Sequence, residues 1–235
     1  MASHGASERQ ASLNGEDPAA DEKHAAAQAA AELVQEGMRV GLGTGSTVAF
    51  LLPALAARKL AGLRCVATSL ATEARALELG LPVETLDQVG ELDIAIDGAD
   101  QVDPACWLIK GGGGAQVREK IVAAAAARFV VIVSSEKPVP ALSAPVPLEL
   151  LAFGHTRTLA ALAPAALRAD TPPSPDGGLI ADYLGPVGDP AALAVRLSST
   201  PGVIGHGLFA PEMVSDVLIG EPGGVSRWTG AKPPA

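Results

Sequence analysis

Aromatic residues are scarce, at 3% of a 235-residue chain, so Ala, Val and Leu must fill whatever interior it has. Cysteine is nearly absent. Cys65 and Cys106 are the only two, with no CxxC pair, which excludes a disulfide framework and a thiolate metal cage. They read as free, buried thiols of a reducing compartment. The four histidines (His4, His24, His155, His206) are scattered, so no His-rich metal site is expected. Basic charge is also short. The net charge is −9 and no Lys/Arg-rich run exists, which argues against nucleic-acid binding. An anionic small molecule is still allowed, provided that a few lysines, backbone N–H groups and helix N-termini bind it locally.

Long apolar runs are missing too. No uninterrupted stretch reaches the roughly 18 residues of a membrane span, and the segment near Val40–Ala57 is broken by glycines and Pro53. The first residues, MASHGASERQASLNGEDP, lack the apolar centre of a signal peptide. A cytoplasmic protein is expected, with residues 1–18 as a disordered leader and no membrane contact.

What is present is a globular composition: 48% hydrophobic, 18% charged, and rich in Gly (26) and Pro (19). Asp17 and Pro18 are suited to start a helix that runs to Glu36 and closes at Gly37. Strands are expected at Met38–Leu42, Arg64–Thr68, Val83–Thr85, Leu92–Ile96, Trp107–Ile109 and Phe129–Val133. Helices are expected from Ser46 or Thr47, over Leu70–Leu79, and over Ala115–Ala127. Pro53 should kink the helix that contains it. Alternating β-α units with near-continuous apolar strands imply a mostly parallel sheet with helices on both faces.

Pro138, Pro140, Pro145 and Pro147 then form a linker that cannot be helical. A smaller pattern follows: strands at Leu148–Leu151, Leu179–Tyr183 and His206–Phe209, and helices near Thr156–Leu162 and Pro190–Ser198. This suits a small α+β domain of split β-α-β type, over 145–212. Val214–Ile219 is placed as a last strand returning to the first sheet. The large domain is therefore assigned residues 19–144 and 213–235.

The chemistry-bearing residues fall in four clusters, each just after a predicted strand: Thr44–Thr47, Asp97 with Asp100, Lys110, and Lys137. Strand ends of an open parallel sheet share one edge, where ligands bind. The glycines around Thr44 let the backbone approach an anion, and Ser46 and Thr47 can hold phosphate oxygens at a helix start; a plain strand-to-helix turn is the alternative. The spacing fits neither a dinucleotide fingerprint nor a Walker loop. Asp97 and Asp100 can bind sugar hydroxyls or relay protons, or can cap their own turn. Asp103 keeps Mg²⁺ open, although no phosphate-plus-metal motif accompanies it. Four glycines after Lys110 read as an oxyanion nest, or else as a linker. Glu119, in the first turns of the next helix, reads as an ionised general base or as a solvated helix residue. Its neighbours Arg118 and Lys120 read as a solvated face or local ion pairs.

GLGTGSTV (Gly41–Val48), DGADQVD (Asp97–Asp103), KGGGGAQVREKI (Lys110–Ile121) and SSEKPV (Ser134–Val139) together resemble the ordered motif set of the ribose-5-phosphate isomerase A family. PGVIGHGLF and DVLIG near the C-terminus extend the likeness, which spans about residues 25 to 225. It implies a Rossmann-like catalytic domain with a ferredoxin-like small domain. It also implies interconversion of D-ribose 5-phosphate and D-ribulose 5-phosphate by proton transfer through an enediolate, in the non-oxidative branch of the pentose phosphate pathway. No cofactor and no metal are implied, and the assembly implied is a homodimer or homotetramer.

By the same resemblance Glu119 matches the catalytic base. Thr44, Gly45, Ser46 and Thr47 match one substrate-binding segment, and Asp97, Gly98, Ala99 and Asp100 another, with Asp97 assisting ring opening. Lys110, Gly111, Gly112 and Gly113 match the segment that meets the reacting oxygens, and Lys137 a lone substrate-binding lysine. Four places depart from the family pattern: Gln101, Gly114, Glu136, and Pro175 to Gly178. A non-catalytic sugar-phosphate sensor and an amino-sugar phosphate deaminase are the alternatives of similar topology.

Overall fold

The computed structural model describes residues 19–232, so Asp17, Pro18 and the leader lie outside the described residues. Its centre is a six-stranded sheet built from β1 (Arg39–Leu42), β2 (Arg64–Ala67), β3 (Leu92–Asp97), β6 (Ala126–Ser134), β12 (Asp216–Glu221) and β13 (Gly224–Thr229). The spatial order is β13-β12-β6-β3-β1-β2, and every pair is parallel except β12–β13. From β1 the chain steps outward to β2, then returns to the other side of β1 as β3. The gap between the carboxyl ends of β1 and β3 is therefore the switch point at which doubly wound sheets open a crevice.

Why the inner parts of these strands are apolar is visible in their two faces. Ile94, Ile96, Val130 and Ile132 enter the core under α1 (Ala20–Ala31) and α2 (Ser46–Ala57). Ala95, Phe129 and Val131 alternate with them and, with Leu92 at the start of β3, enter a second core beside Val122 and Ala123 of α5 (Gln116–Ala125). With both faces covered, the middles of these strands are apolar, and charged residues such as Asp93, Asp97 and Arg128 sit toward their ends. Few aromatics are needed because α1 presents Ala26, Ala27, Ala30 and Ala31, all fully buried.

The small sheet holds β7 (Val146–Leu150), β8 (Ala165–Leu167), β9 (Leu179–Tyr183) and β10 (Val203–His206), in the antiparallel order β10-β7-β9-β8. With α6 (His155–Ala161) and α7 (Pro190–Ser199) in the connections, this is the expected split β-α-β arrangement. Leu148, Leu150, Leu162, Leu193 and Leu197 fill its core. A third, three-stranded antiparallel sheet, β11-β5-β4, joins β4 (Gln101–Val102), β5 (Leu108–Ile109) and β11 (Leu208–Phe209).

Several expectations need correction. The first helix stops at Ala31 and not Glu36. Its last turn tightens through Leu33 N–H to Ala30 O and Val34 N–H to Ala31 O, and the Arg58 guanidinium takes the carbonyls of Ala31 and Val34. As expected, Pro53 falls inside α2. It lies on the exposed face, and Ala49, the residue it deprives of an amide partner, is exposed as well, so water can solvate that carbonyl. Val83–Thr85 makes one bridge, Cys65 to Val83, and then turns into α4 (Leu86–Val89). His206–Phe209 is split at Gly207 between two sheets; a Cβ there would meet the Lys110 carbonyl at 2.1 Å. The sequence reading had no counterpart for β8 or β13.

Candidate active site

Asp97 ends β3 and is 3% exposed as a residue. Its Oδ1 accepts from the Thr44 N–H at 2.9 Å and the Gly98 N–H at 2.7 Å, so one carboxylate ties the turn after β3 to the turn after β1. Gly43 permits this closeness, because a Cβ there would fall 2.0 Å from the Asp97 carboxyl. Hydroxyls brace the same turn from behind. Thr44 Oγ1 lies 2.8 Å from Thr68 Oγ1, and Thr72 Oγ1 donates to the Gly43 carbonyl at 2.8 Å. Sequence reasoning missed Thr68 and Thr72. Their signal was available: Thr68-Ser69 follows β2 as Thr44-Gly45-Ser46 follows β1.

Lys110 follows β5, which belongs to the small three-stranded sheet and not to the parallel one, contrary to the shared-edge expectation. It reaches the crevice nonetheless. Its Nζ, 2% exposed as a residue, sits 2.9 Å from Asp97 Oδ2 and 3.2 Å from Glu119 Oε2, and donates to the Gly98 carbonyl. Burial works against the ammonium charge, but Asp97 and Glu119 more than offset it and hold its pKa above the usual lysine value. The contact with Glu119 is an ion pair of poor hydrogen-bond alignment, and Glu119 Oε2 has no better partner among the described residues.

This corrects the expectation that Glu119 stays ionised at neutral pH. Burial first, and repulsion from Asp97 second, push it up to about 8, with Lys110 pulling the other way. Its neighbours are corrected too. Lys120 is not solvated: its Nζ donates to the carbonyls of His206 and Leu208 and lies over the Phe209 ring, and burial lowers it to about 8. Arg118 is paired with Asp176 of the small-domain loop, a contact distant in sequence.

The glycine run is ordered by its own turn and by Asp100. Gly114 N–H closes onto Gly111 O at 2.9 Å, and Gly112 N–H donates to Asp100 Oδ2 at 2.8 Å. Of the expected nest, only the N–H groups of Gly111 and Gly113 remain without a partner among the described residues. Gly111 needs its positive φ of 105°, and a Cβ there would strike Gln116 and Pro147.

A cleft of about 130 Å³ is lined by Thr44–Thr47, Gly98–Asp100, Lys110–Gly113, Glu119 and Lys137. These are the segments singled out in the sequence, with Asp97 directly beneath. Lys137 stands at the edge with a third of its side chain exposed, 3.0 Å from Glu136. Asp103 turns away to cap its own loop through the N–H groups of Ala105 and Trp107. Among the described residues, no group of three or more His, Cys, Asp or Glu is placed to hold a metal. A larger hollow of about 650 Å³ lies on the other side of α5, against Val117, Arg118 and Ile121, and Arg118 is the one basic residue among acidic, apolar and neutral polar neighbours there.

The departures at Gln101 and Gly114 are local. Gln101 ties β4 to the proline-rich linker through both backbone groups of Ser143, and Gly114 takes a positive φ of 75° against Ile180.

A doubly wound sheet that gathers a glycine-lined crevice and a buried carboxylate–ammonium cluster at its switch point defines an α/β enzyme of small, anionic substrates. Comparison with known proteins narrows this. A sequence model of ribose 5-phosphate isomerase A (phosphoriboisomerase A) matches residues 64–224. The ribose-5-phosphate isomerase A of Caulobacter vibrioides (strain NA1000 / CB15N) is 48% identical over 221 residues, covering 88% of this chain and 97% of its own. The crystal structure of ribose 5-phosphate isomerase A from Neisseria gonorrhoeae superposes with a TM-score of 0.86 at 31% identity, covering 92% of this chain and 98% of its own. A D-ribose-5-phosphate isomerase solved in complex with phospho-erythronic acid superposes at 0.85 with 33% identity, covering 91% and 100%. The chain belongs to the ribose 5-phosphate isomerase A family. Among the described residues, no helix is long and apolar enough to cross a membrane.

Proposed function

We propose that the chain interconverts D-ribose 5-phosphate and D-ribulose 5-phosphate by proton transfer, with Glu119 as the base. The observation that carries this is the Lys110 ammonium held between Asp97 and Glu119 at 2.9 and 3.2 Å, at the buried end of a cleft edged by Thr44–Thr47 and Lys137. A phosphate fits the mouth: Ser46 and Thr47 open helix α2, whose first N–H groups point outward, and Lys137 adds charge opposite. The sugar chain then runs inward to Lys110.

The steps follow from that orientation. Asp97 assists opening of the sugar ring, and Gly98 to Asp100 bind its hydroxyls. Glu119 takes the proton from C2, and the electron pair moves into a C1–C2 double bond, leaving negative charge on O1. Lys110 and the free N–H groups of Gly111 and Gly113 stabilise that oxyanion; one such donor is worth about 3 kcal/mol. Glu119 returns the proton to C1, and the O2 proton passes to O1, which completes the ketose with no net change in atoms or electrons. A carboxyl poised at about 8 suits both halves of the cycle, since it must first take the proton and then give it back. We assign residues 19–144 and 213–235 to the catalytic domain and 145–212 to a small one, working as a homodimer or homotetramer in the cytoplasm.

The test is an assay of ribose 5-phosphate turnover with purified, EDTA-treated protein. Robust activity is expected, and Glu119→Gln lowers kcat by at least about 100-fold on the general-base scale while KM changes little. Wild-type protein that binds ribose 5-phosphate without turning it over would instead describe a sensor. An active Glu119→Gln protein would remove the base from this assignment.

A further inference from the structure

The glycine run is gripped from the small sheet. Arg168, the residue after β8, donates from Nη1 to the carbonyl of Gly112 at 2.8 Å and of Gly111 at 3.2 Å. Its other two nitrogens form a fork on Asp182 of β9, at 2.9 and 2.6 Å. Its own amide is latched to the Ile180 carbonyl at 3.0 Å. The pair is mostly buried, with side chains 20% and 16% exposed. A guanidinium can serve a carboxylate and a carbonyl pair at once because its donors are fixed in one plane.

The consequence lies on the opposite edge of the two peptides. In a trans peptide the carbonyl and the following N–H point in opposite directions. Holding Gly111 O and Gly112 O toward the small sheet therefore sends Gly112 N–H and Gly113 N–H the other way. The first of these shows where that is: Gly112 N–H meets Asp100, which lines the cleft. Gly113 also lines it, with Thr44 as its nearest facing side chain. A positive charge on the carbonyl end of a peptide also polarises its N–H end.

We propose that Arg168 is a positioning residue for the isomerisation: its Asp182-anchored fork fixes the glycine peptides so that the Gly113 N–H aims at the developing oxyanion. Catalysis in the large sheet then depends on a residue of the small one that touches no substrate. This deepens the isomerase reading and rests on it.

The experiment measures kcat, KM, melting temperature and the affinity for phospho-erythronic acid, whose carboxylate presents two charged oxygens to the same donors. Arg168→Lys keeps the charge but cannot serve Asp182 and both carbonyls together. It should lower kcat about tenfold with KM within about twofold, and weaken phospho-erythronic acid binding by a similar factor. Asp182→Asn, which leaves the guanidinium in place but loosens its anchor, should move the same quantities the same way by about threefold. A fall in melting temperature with kcat and inhibitor affinity unchanged in both variants would overturn the proposal and leave Arg168 a structural clamp. Inactive wild-type protein would strike the isomerase reading itself, whereas active wild type with unimpaired variants would strike this inference alone.

Discussion

Arg118 and Glu119 are neighbours on one helix, yet they face two different cavities and two different electrostatic solutions. Arg118 turns to the larger hollow and meets Asp176 through two hydrogen bonds of 2.6 and 2.7 Å, with a third to a half of each side chain exposed. Glu119 turns to the smaller cleft, 5% exposed, and shares one ammonium with Asp97 through a contact that is not a hydrogen bond. The exposed pair is fully satisfied and each partner is held in its charged form: hydrogen bonding to Arg118 is the main cause of the lowered Asp176 pKa. The buried carboxyl has its pKa raised, by burial first and by Asp97 second, and Lys110 offsets only part of this. Size and complete pairing therefore do not locate the chemistry here. The site is where charge is buried at a cost and left incompletely paired, because that tension keeps a proton exchangeable.

The largest break in this contrast comes from removing the shared ammonium. Lys110→Met leaves Asp97 and Glu119 buried without their counter-ion. Loss of one partner of a buried pair costs about 3–5 kcal/mol, so the variant should melt well below wild type in a thermal scan. Activity should fall by about 100-fold or more, since the oxyanion also loses its charged donor. A Lys110→Met protein as stable and as active as wild type would show that the cluster carries no tension.

The second way to sharpen the contrast is pH. A general base must be ionised, and Glu119 sits near 8. Its ionised fraction, and with it kcat/KM, should rise about tenfold between pH 7 and pH 9. The stability effect has the opposite sign. The folded pKa lies above the ordinary value of 4.5, so the folded state holds a proton that the unfolded chain releases. Stability contributed below 4.5 is therefore lost as pH rises toward 8, and the slope ends above it. Glu119→Gln should lack that slope in denaturant titrations across the same window. A flat kcat/KM from pH 6 to 9 would place the base elsewhere.

Much of this was legible in the letters, for a physical reason. Strands buried on both faces must be apolar throughout, so β3 and β6 stood out, and polar residues that break such a strand at its carboxyl end mark the crevice. Thr44–Thr47, Asp97 with Asp100, Lys110 and Lys137 were found by that rule, Glu119 by its place in the helix after the glycine run, and all but Asp97, which is bonded to Thr44 and Lys110, line one cleft. What escaped depends on distances that spacing does not carry. Lys110 hangs from an antiparallel strand of two residues, whose partner β11 lies about a hundred positions away. The raised pKa of Glu119 needs Asp97 and burial, not helix position. Arg168 and Asp182 come from the small sheet, where nothing in the sequence ties them to the glycines. The strand β13 had a signal that went unused: Pro222-Gly223 marks a tight turn between β12 and an exposed, alternating strand.

The smallest expected effect is also the control for the whole contrast. Replacing Arg118 or Asp176 by Ala removes a partly exposed pair, and such pairs contribute about 0.2–1 kcal/mol. The melting temperature should drop by a few degrees at most, and less in high salt, because screening already weakens the pair. Turnover is the more telling readout. Arg118 is one residue from Glu119, but on α5 its side chain lines the other hollow, where it meets Asp176. If the backbone of α5 is held by its packing of Val122 and Ala123 on the sheet, Glu119 keeps its place without the pair, and kcat should stay within about twofold. A tenfold loss in either variant, at unchanged melting temperature, would mean that the loop carrying Asp176 sets the base through Arg118. The two sides of the helix would then be one electrostatic unit, and the contrast drawn between them would fail.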